Sequence, residues 1–199
     1  MITTRIDLLR HGEAQGGTYF RGSTDDPLTP FGWQQMHQAI SERHNWDIII
    51  SSPLSRCLDF ARQISDQRQL PLTVFPEISE IDFGDWEGKT ADEIEQVEPG
   101  VLERFYSDPD KYTPIKGEKF KAFSERISFA WRKLTEQNRG FRVLVITHAG
   151  MIRMVFSQVL GISIENSFRI QVGHASLTRF QHINTDSSGY YQLLFHHSS

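Results

Sequence analysis

Residues 8–13, Leu-Leu-Arg-His-Gly-Glu, place a cation and an imidazole at the tip of a predicted strand. Two apolar residues end the strand, Arg10 and His11 follow them, and Gly12 lets the backbone turn. In open α/β sheets, ligands bind beyond the carboxyl ends of the strands. Arginine binds phosphate oxygens through a planar fork of N–H groups, and an imidazole is a competent nucleophile. The pair therefore suggests phosphoryl transfer through a phosphohistidine.

Two further strand-to-helix junctions carry groups of the same kind. An apolar strand at 48–50 is followed by a helix with Arg56 in its first turn, and the most hydrophobic strand, 143–146, ends just before His148. The C-terminal ends of parallel strands lie at one edge of a sheet, where helix N termini add partial positive charge. We therefore expect Arg56 and His148 to converge with the first pair on one phosphate group.

The elements that must position these groups alternate between strands and helices. In chain order, the patterns predict a strand at 5–9, a helix from Thr29-Pro30, a strand at 48–50, a helix after Pro53, a strand at 72–75, a short helix capped by Thr90, a long helix at 120–134, a strand at 143–146, a helix at 151–160, and a hairpin of 176–180 and 190–195 around 187–189. This order predicts an α/β fold with a mainly parallel central sheet and an antiparallel C-terminal hairpin.

Length, charge and hydropathy argue against several other classes of protein. A chain of 199 residues predicts one domain, 1–199, and the proline- and glycine-punctuated stretch 98–117 is interpreted as a lid-like insertion. The net charge of −4 argues against nucleic-acid binding. No apolar run approaches the ~20 residues of a membrane span, and the N terminus lacks a signal-peptide pattern. We expect a cytoplasmic protein whose partner is a small-molecule phosphate ester. The oligomeric state does not follow from the sequence.

Eight histidines and one cysteine, Cys57, raise the question of a metal site. Their spacing matches no pattern of zinc ligands, and one cysteine cannot form an internal disulfide. We therefore expect no metal and no other cofactor. His174, which precedes the predicted hairpin, either lines the ligand pocket or is a surface-loop histidine, and the second interpretation is favoured.

Four ordered motifs carry a resemblance that extends over essentially the whole chain. They are Leu-Leu-Arg-His-Gly-Glu (8–13), Ser-Ser-Pro-Leu-Ser-Arg (51–56), Glu80 with Phe-Gly-Asp-Trp-Glu-Gly (83–88), and Ile-Thr-His-Ala-Gly (146–150), supported by Pro-Leu-Thr (27–29) and Gly32. The chain resembles the histidine phosphatase superfamily, also called phosphoglycerate mutase-like. The resemblance implies a three-layer α/β/α fold and metal-independent hydrolysis of phosphate monoesters.

The resemblance also implies a role for each matched residue. His11 attacks phosphorus and becomes phosphorylated, and Glu80 protonates the leaving oxygen before it activates water. Arg10, Arg56 and His148 hold the phosphoryl oxygens. Elementary electrostatics agrees, because two guanidinium groups stabilise a dianionic transition state and keep His11 unprotonated.

The sequence does not decide the roles of four residues in the loops. Glu87 is the alternative to Glu80 as proton donor. Many family members have asparagine six residues after the nucleophile, where this chain has Gly17. Arg21 and Ser23 are candidate substrate contacts in the same loop, although a solvated arginine and a turn serine explain them equally well.

The lid-like stretch bears on the substrate. It combines Phe105, Tyr106 and Tyr112 with nearly balanced charge, which suits a flat ring better than a small, highly charged acid. The 83–87 and 117–126 segments are most similar to the α-ribazole-5′-phosphate phosphatase branch of cobalamin biosynthesis. A broad-specificity phosphatase, a phosphoglycerate mutase and a catalytically inactive phosphate-binding module remain the alternatives.

Overall fold

A computed structural model describes residues 2–41, 45–185 and 189–197 of the chain as a six-stranded sheet with helices on both faces. The strands are β1 (Ile2–Arg10), β2 (Ile48–Ser51), β3 (Leu72–Val74), β4 (Arg142–Thr147), β5 (Leu177–Asn184) and β6 (Gly189–His197). The helices are α1 (Pro30–Ala39), α2 (Ser55–Arg68), α3 (Ala91–Val97), α4 (Val101–Ser107), α5 (Phe120–Gln137), α6 (Ala149–Leu160) and α7 (Ile164–Ser167). Short 3₁₀ turns occupy Pro76–Ile78 and Gly84–Trp86.

The strand order across the sheet is β3-β2-β4-β1-β5-β6. The first four strands are parallel to one another, whereas β5 is antiparallel to both β1 and β6. The predicted mainly parallel sheet and the antiparallel hairpin are therefore confirmed. Residues 187 and 188 of the predicted hairpin turn lie outside the described residues.

Alternation along the strands builds a core on each face of the sheet. In β1, Ile6 and Leu8 contribute to one apolar cluster and Leu9 to the other, because successive side chains of a strand point to opposite faces. The first cluster packs against α5 and α6, and the second packs against α1 and α2. Strands covered on both faces are continuously apolar, as the sequence of β4 shows.

The parallel strands end together at one edge. Arg10 of β1 pairs with Thr147 of β4, and Ser51 of β2 pairs with Ile146. The connections after β1 and β2 pass over one face, through α1 and α2, while α6 covers the other face after β4. Such a reversal opens a crevice beyond the strand ends, which is the usual ligand site of open α/β sheets.

The 98–117 segment contains a helix that the sequence analysis did not predict. Gly100, with φ of 76°, immediately precedes α4. The side chain of Glu95 accepts hydrogen bonds from the backbone N–H groups of Gly100 and Leu102, which anchors the helix start. In the described ranges, no helix has the length and apolar character to cross a membrane.

Candidate active site

His11 lies just beyond the carboxyl end of β1, in a turn held to β4. Its backbone N–H donates to the carbonyl of Thr147 at 2.9 Å. Its ring nitrogen Nδ1 is 2.7 Å from the carbonyl oxygen of Gly12, so Nδ1 carries the proton and donates. The other ring nitrogen, Nε2, therefore holds the lone pair that an attacking imidazole needs.

A second buried imidazole, that of His148, lies beside His11. The two ring centroids are 5.3 Å apart. Nε2 of His148 is 2.7 Å from the hydroxyl oxygen of Ser52, the residue after β2. The ends of three adjacent parallel strands thus hold both rings, as the sequence of the junctions predicts.

Two buried guanidinium groups belong to the same cluster. Nη1 of Arg10 donates to the carbonyl of Val172 at 2.7 Å. Arg56 donates to the carbonyls of Thr24 and Gly22, both at 2.7 Å. The Nε–H groups of both arginines are buried and lack a hydrogen-bond partner among the described residues. A buried donor without a partner costs about 1–3 kcal/mol, and a bound anion would supply the missing acceptor.

Glu80 lines the same cavity as Arg10 and His11. Its Oε2 accepts a hydrogen bond of 3.0 Å from the backbone N–H of Gly150, in the first turn of α6. A Cβ atom added to Gly150 would lie 2.2 Å from Oε1 of Glu80. The glycine after the His148-Ala pair therefore lets the carboxylate approach the helix N terminus.

Glu87, the alternative proton donor, has a different environment. Its carboxylate accepts hydrogen bonds from the backbone N–H groups of residues 22–24 and from the hydroxyl of Thr24. Burial alone would raise the pKa of Glu87, but the hydrogen bonds, led by that of Thr24, lower it. This carboxylate organises the loop whose carbonyls bind Arg56. The geometry thus favours Glu80 as the proton donor.

Burial and nearby charge set the protonation of the two imidazoles. Burial lowers the pKa of His11 well below its ordinary value, and the charge of Arg10 lowers it further. Burial also lowers the pKa of His148, and the charge of Arg56 acts in the same direction. Arg10 stays cationic at neutral pH, because burial lowers its pKa only to about 10. Both imidazoles are therefore neutral when His11 has to attack.

The lowered pKa of His11 predicts a pH-dependent stability. As the pH falls below about 6.5, the unfolded chain protonates this histidine and the folded chain does not. The free energy of unfolding then decreases by up to about 1.4 kcal/mol per pH unit on account of His11. His11→Gln should lose less stability than the wild type between about pH 7 and pH 5. Urea unfolding at several pH values measures the two slopes, and equal slopes would contradict the prediction.

The cluster opens into a cavity of about 320 Å³ whose wall includes several aromatic side chains. The aromatic residues of the wall come from separate segments and are Tyr19, Phe20, Phe83, Phe105, Tyr106, Phe120, Phe123 and Phe168. Small-molecule pockets have volumes of about 300–1,000 Å³. The cavity thus has space for a leaving group with a flat ring in addition to the phosphoryl group.

The residues predicted to contact substrate divide into two groups. Phe105, Tyr106 and Arg21 line the cavity. Ser23 is exposed and does not line it, because its backbone N–H is tied to the carboxylate that organises its loop. Tyr112 lines a separate depression, because it lies beyond the end of α4, where the chain has left the cavity wall.

The guanidinium group of Arg21 binds to other residues of its own loop. Its Nε forms an ion pair of 2.8 Å with Asp26, and its Nη2 donates to the carbonyls of Gln15 and Gly17 at 2.5 and 3.2 Å. Gly17, at the position where the resemblance implies an asparagine in many relatives, lies in the cavity wall with φ of 88°. Glycine adopts this conformation at no steric cost. The guanidinium of Arg21 thus shapes the loop around Gly17.

Two further residues line the wall, and of these only Arg153 escaped the sequence analysis. The favoured surface-loop interpretation of His174 is wrong and the pocket-lining alternative is right, because its ring lines the cavity with its centroid 5.7 Å from that of His11. Burial lowers the pKa of His174 to about 4. Arg153 also lines the cavity, and its spacing of three residues from Gly150 on α6 was the available signal.

Metal ligands do not cluster in the part of the chain that the structure describes. There, no group of three or more His, Cys, Asp or Glu side chains could hold a metal ion. Cys57 is buried with Sγ 3.7 Å from Nε2 of His148. Burial raises the pKa of the Cys57 thiol, so it is not a thiolate ligand or nucleophile. Hydrolysis without a metal stays a prediction.

Comparison with known proteins places this site in a family. Residues 6–189 match the model of the histidine phosphatase superfamily, branch 1. The chain is 30% identical over 172 residues to the adenosylcobalamin/alpha-ribazole phosphatase of Escherichia coli K12, covering 84% of this chain and 85% of that protein. It is 26% identical over 177 residues to the glucosyl-3-phosphoglycerate phosphatase of Mycolicibacterium vanbaalenii, covering 83% and 78% of the two chains.

Solved structures agree with the sequence comparison. The crystal structure of the alpha-ribazole phosphatase from Shigella flexneri superposes with a TM-score of 0.79 at 26% identity, covering 96% of this chain and 95% of that one. The matched region contains all three strand-to-helix junctions and Glu80. The chain therefore belongs to the histidine phosphatase superfamily, branch 1, and is a phosphatase.

Proposed function

We propose that the chain is a phosphomonoesterase that acts through a phosphohistidine on His11 and hydrolyses α-ribazole 5′-phosphate to α-ribazole in cobalamin biosynthesis. One observation carries the chemistry. The hydrogen bond from Nδ1 of His11 to the carbonyl of Gly12 leaves the Nε2 lone pair available, beside guanidinium groups with unpaired N–H donors.

The first half of the reaction transfers the phosphoryl group to the protein. Nε2 of His11 attacks phosphorus while the bond from phosphorus to the alcohol oxygen breaks. Glu80 gives its proton to that oxygen, and the alcohol leaves. Arg10 and Arg56 bind the non-bridging oxygens and stabilise the charge that develops on them. An N–H group of His148 is the third donor.

The second half regenerates the enzyme. Water attacks the phosphorus of the phosphohistidine, and the bond from phosphorus to Nε2 breaks. Glu80, ionised by the first half, accepts a proton from the water. Orthophosphate leaves, and His11 is neutral again. Side chains stabilise the charge on the phosphoryl oxygens and transfer each proton, so the scheme needs no metal ion.

Two observations support α-ribazole 5′-phosphate as the substrate. The relatives in Escherichia coli and Shigella flexneri carry the name alpha-ribazole phosphatase. The aromatic wall suits the dimethylbenzimidazole ring of this nucleotide, since offset and edge-to-face ring contacts contribute about 0.5–1.5 kcal/mol beyond area burial. A small phosphoglycerate would leave those rings unused.

The alternatives share the chemistry and differ in the fate of the phosphoryl group. A mutase returns it to an organic acceptor, whereas a broad-specificity phosphatase releases it from many esters at similar rates. We expect a higher kcat/KM for α-ribazole 5′-phosphate than for 3-phosphoglycerate, with orthophosphate as the product. Efficient isomerisation of 3-phosphoglycerate, or similar rates across a panel of esters, would contradict the assignment.

The cavity wall offers a matched pair of tyrosine variants. Tyr106→Ala removes a ring that lines the cavity, whereas Tyr112→Ala removes one that lies outside it. The ratio of kcat/KM for α-ribazole 5′-phosphate to that for p-nitrophenyl phosphate should fall about 5-fold in the first variant. The second variant should keep the wild-type ratio. If the wild type and both variants had the same ratio of kcat/KM values, the proposed contact between Tyr106 and the ring of the substrate would be wrong.

A further inference from the structure

Arg153 is a cation in the cavity wall whose Nε–H group has no acceptor within the described part of the chain. Its Nε–H is buried without a hydrogen-bond partner in the described ranges. Its guanidinium carbon lies 5.9 Å from the ring centre of Phe168, and Tyr106 lines the same part of the cavity. A buried N–H of this kind is satisfied when a ligand oxygen binds to it.

The position of Arg153 assigns it to the leaving group. Under the proposed function, the phosphorus atom binds next to His11, and the oxygen of the departing alcohol binds next to Glu80. Arg153 shares the wall with Glu80. Burial lowers the pKa of Arg153, and the carboxylate of Glu80 offsets part of that lowering. The wall also carries Phe168, whose ring centroid lies 5.1 Å from that of Tyr106 and 5.9 Å from the guanidinium carbon of Arg153. Arg153 therefore lies where the body of the alcohol binds.

The charges around the cavity leave one cation for the leaving group. Glu80 is protonated when it acts as the acid, so the guanidinium groups of Arg10, Arg56 and Arg153 face a phosphoryl dianion, which supplies two negative charges. Arg21 adds no charge to this balance, because it is already paired within its loop. Arg153 is therefore available to donate hydrogen bonds to oxygens of the alcohol, and in the proposed substrate the alcohol is uncharged.

We propose that Arg153, together with Tyr106, binds hydroxyl oxygens of an uncharged leaving group and so selects ribonucleoside-like phosphomonoesters. In the proposed substrate these oxygens are the ribose hydroxyls, and to that extent the inference rests on the proposed function. It adds a specificity-determining residue to the aromatic wall, which by itself would accept any aryl ester.

The test compares substrates within each protein. The pairs are α-ribazole 5′-phosphate and adenosine 5′-phosphate, each with its 2′,3′-dideoxy analogue. We expect the wild type to prefer the hydroxylated member of a pair by about 10- to 100-fold in kcat/KM. In Arg153→Met this preference should fall to nearly 1. Arg153→Lys, which keeps the charge and loses the planar fork, should be intermediate. Arg132→Met removes an exposed arginine of α5 and should keep the wild-type preference.

Each alternative outcome overturns the inference. An equal preference in the wild type and in Arg153→Met, or no preference in the wild type, removes Arg153 from hydroxyl recognition. A loss in Arg153→Met that is larger for 3-phosphoglycerate than for the nucleotides assigns the residue to a carboxylate instead. Failure of the proposed function is a separate result: α-ribazole 5′-phosphate would be a poor substrate while the adenosine pair still shows the dependence on Arg153.

Discussion

Replacement of His11 by alanine is expected to reduce phosphate-ester hydrolysis on the order of 10⁴-fold or more, because the reaction loses its nucleophile. The remaining groups can still bind a phosphoryl dianion, but none of them can replace Nε2. Cys57 and His148 are other nucleophilic side chains buried in this part of the molecule. The cysteine is held as a thiol by burial, and the ring of His148 is bound to Ser52.

The intermediate itself is the second measurement on His11. Rapid quenching of the wild type during turnover should trap an acid-labile phosphoryl group, and mass spectrometry should locate it on His11. The reaction is run in buffer with excess chelator, so that metal-dependent hydrolysis does not contribute. His197→Ala, which removes an exposed imidazole at the end of β6, serves as the control. Substantial turnover by His11→Ala, or a requirement for added Mg²⁺, would overturn the mechanism.

The strand-to-helix junctions could be predicted from sequence because local and global signals agree there. An apolar strand, a polar tip and a helix start follow one another within a few residues, and parallel strands bring such tips to one edge. The register Arg10 to Thr147 and Ser51 to Ile146 then brings His11 and His148 together. The local sequence places each functional side chain at the end of its strand, and the pairing of the parallel strands brings these ends together.

The loops were less predictable because tertiary contacts fix them. Glu87 and Glu80 lie seven residues apart in a motif rich in acids, and only the structure separates the one that binds the 22–24 loop from the one that contacts Gly150. Tyr106 and Tyr112 are close in sequence, yet the end of α4 directs them to different pockets. His174 and Arg153 enter the cavity through tertiary packing, and the local signal was limited to the spacing of three residues between Gly150 and Arg153 on α6.

Replacement of Glu80 by glutamine should produce a loss of rate that depends on the leaving group. The amide keeps the size of the side chain and removes its titratable proton. General acid catalysis contributes about 10²–10⁴-fold where the departing oxygen needs a proton. Alkyl phosphates should therefore lose that factor in kcat/KM. p-Nitrophenyl phosphate should lose far less in the step that releases the alcohol, because its leaving group needs little protonation.

Gly150→Ala tests the same assignment through geometry. The added Cβ would lie 2.2 Å from Oε1 of Glu80, so the carboxylate must move away from its hydrogen bond with the N terminus of α6. This variant should reproduce the dependence on the leaving group without any change in the titrating residue. The double variant should be little worse than Glu80→Gln alone, because both changes act on one carboxyl group. Equal losses for alkyl and p-nitrophenyl esters in both variants would transfer the proton donation to another group. Glu87 is a poor candidate for it, since the N–H groups of its loop hold that carboxylate ionised.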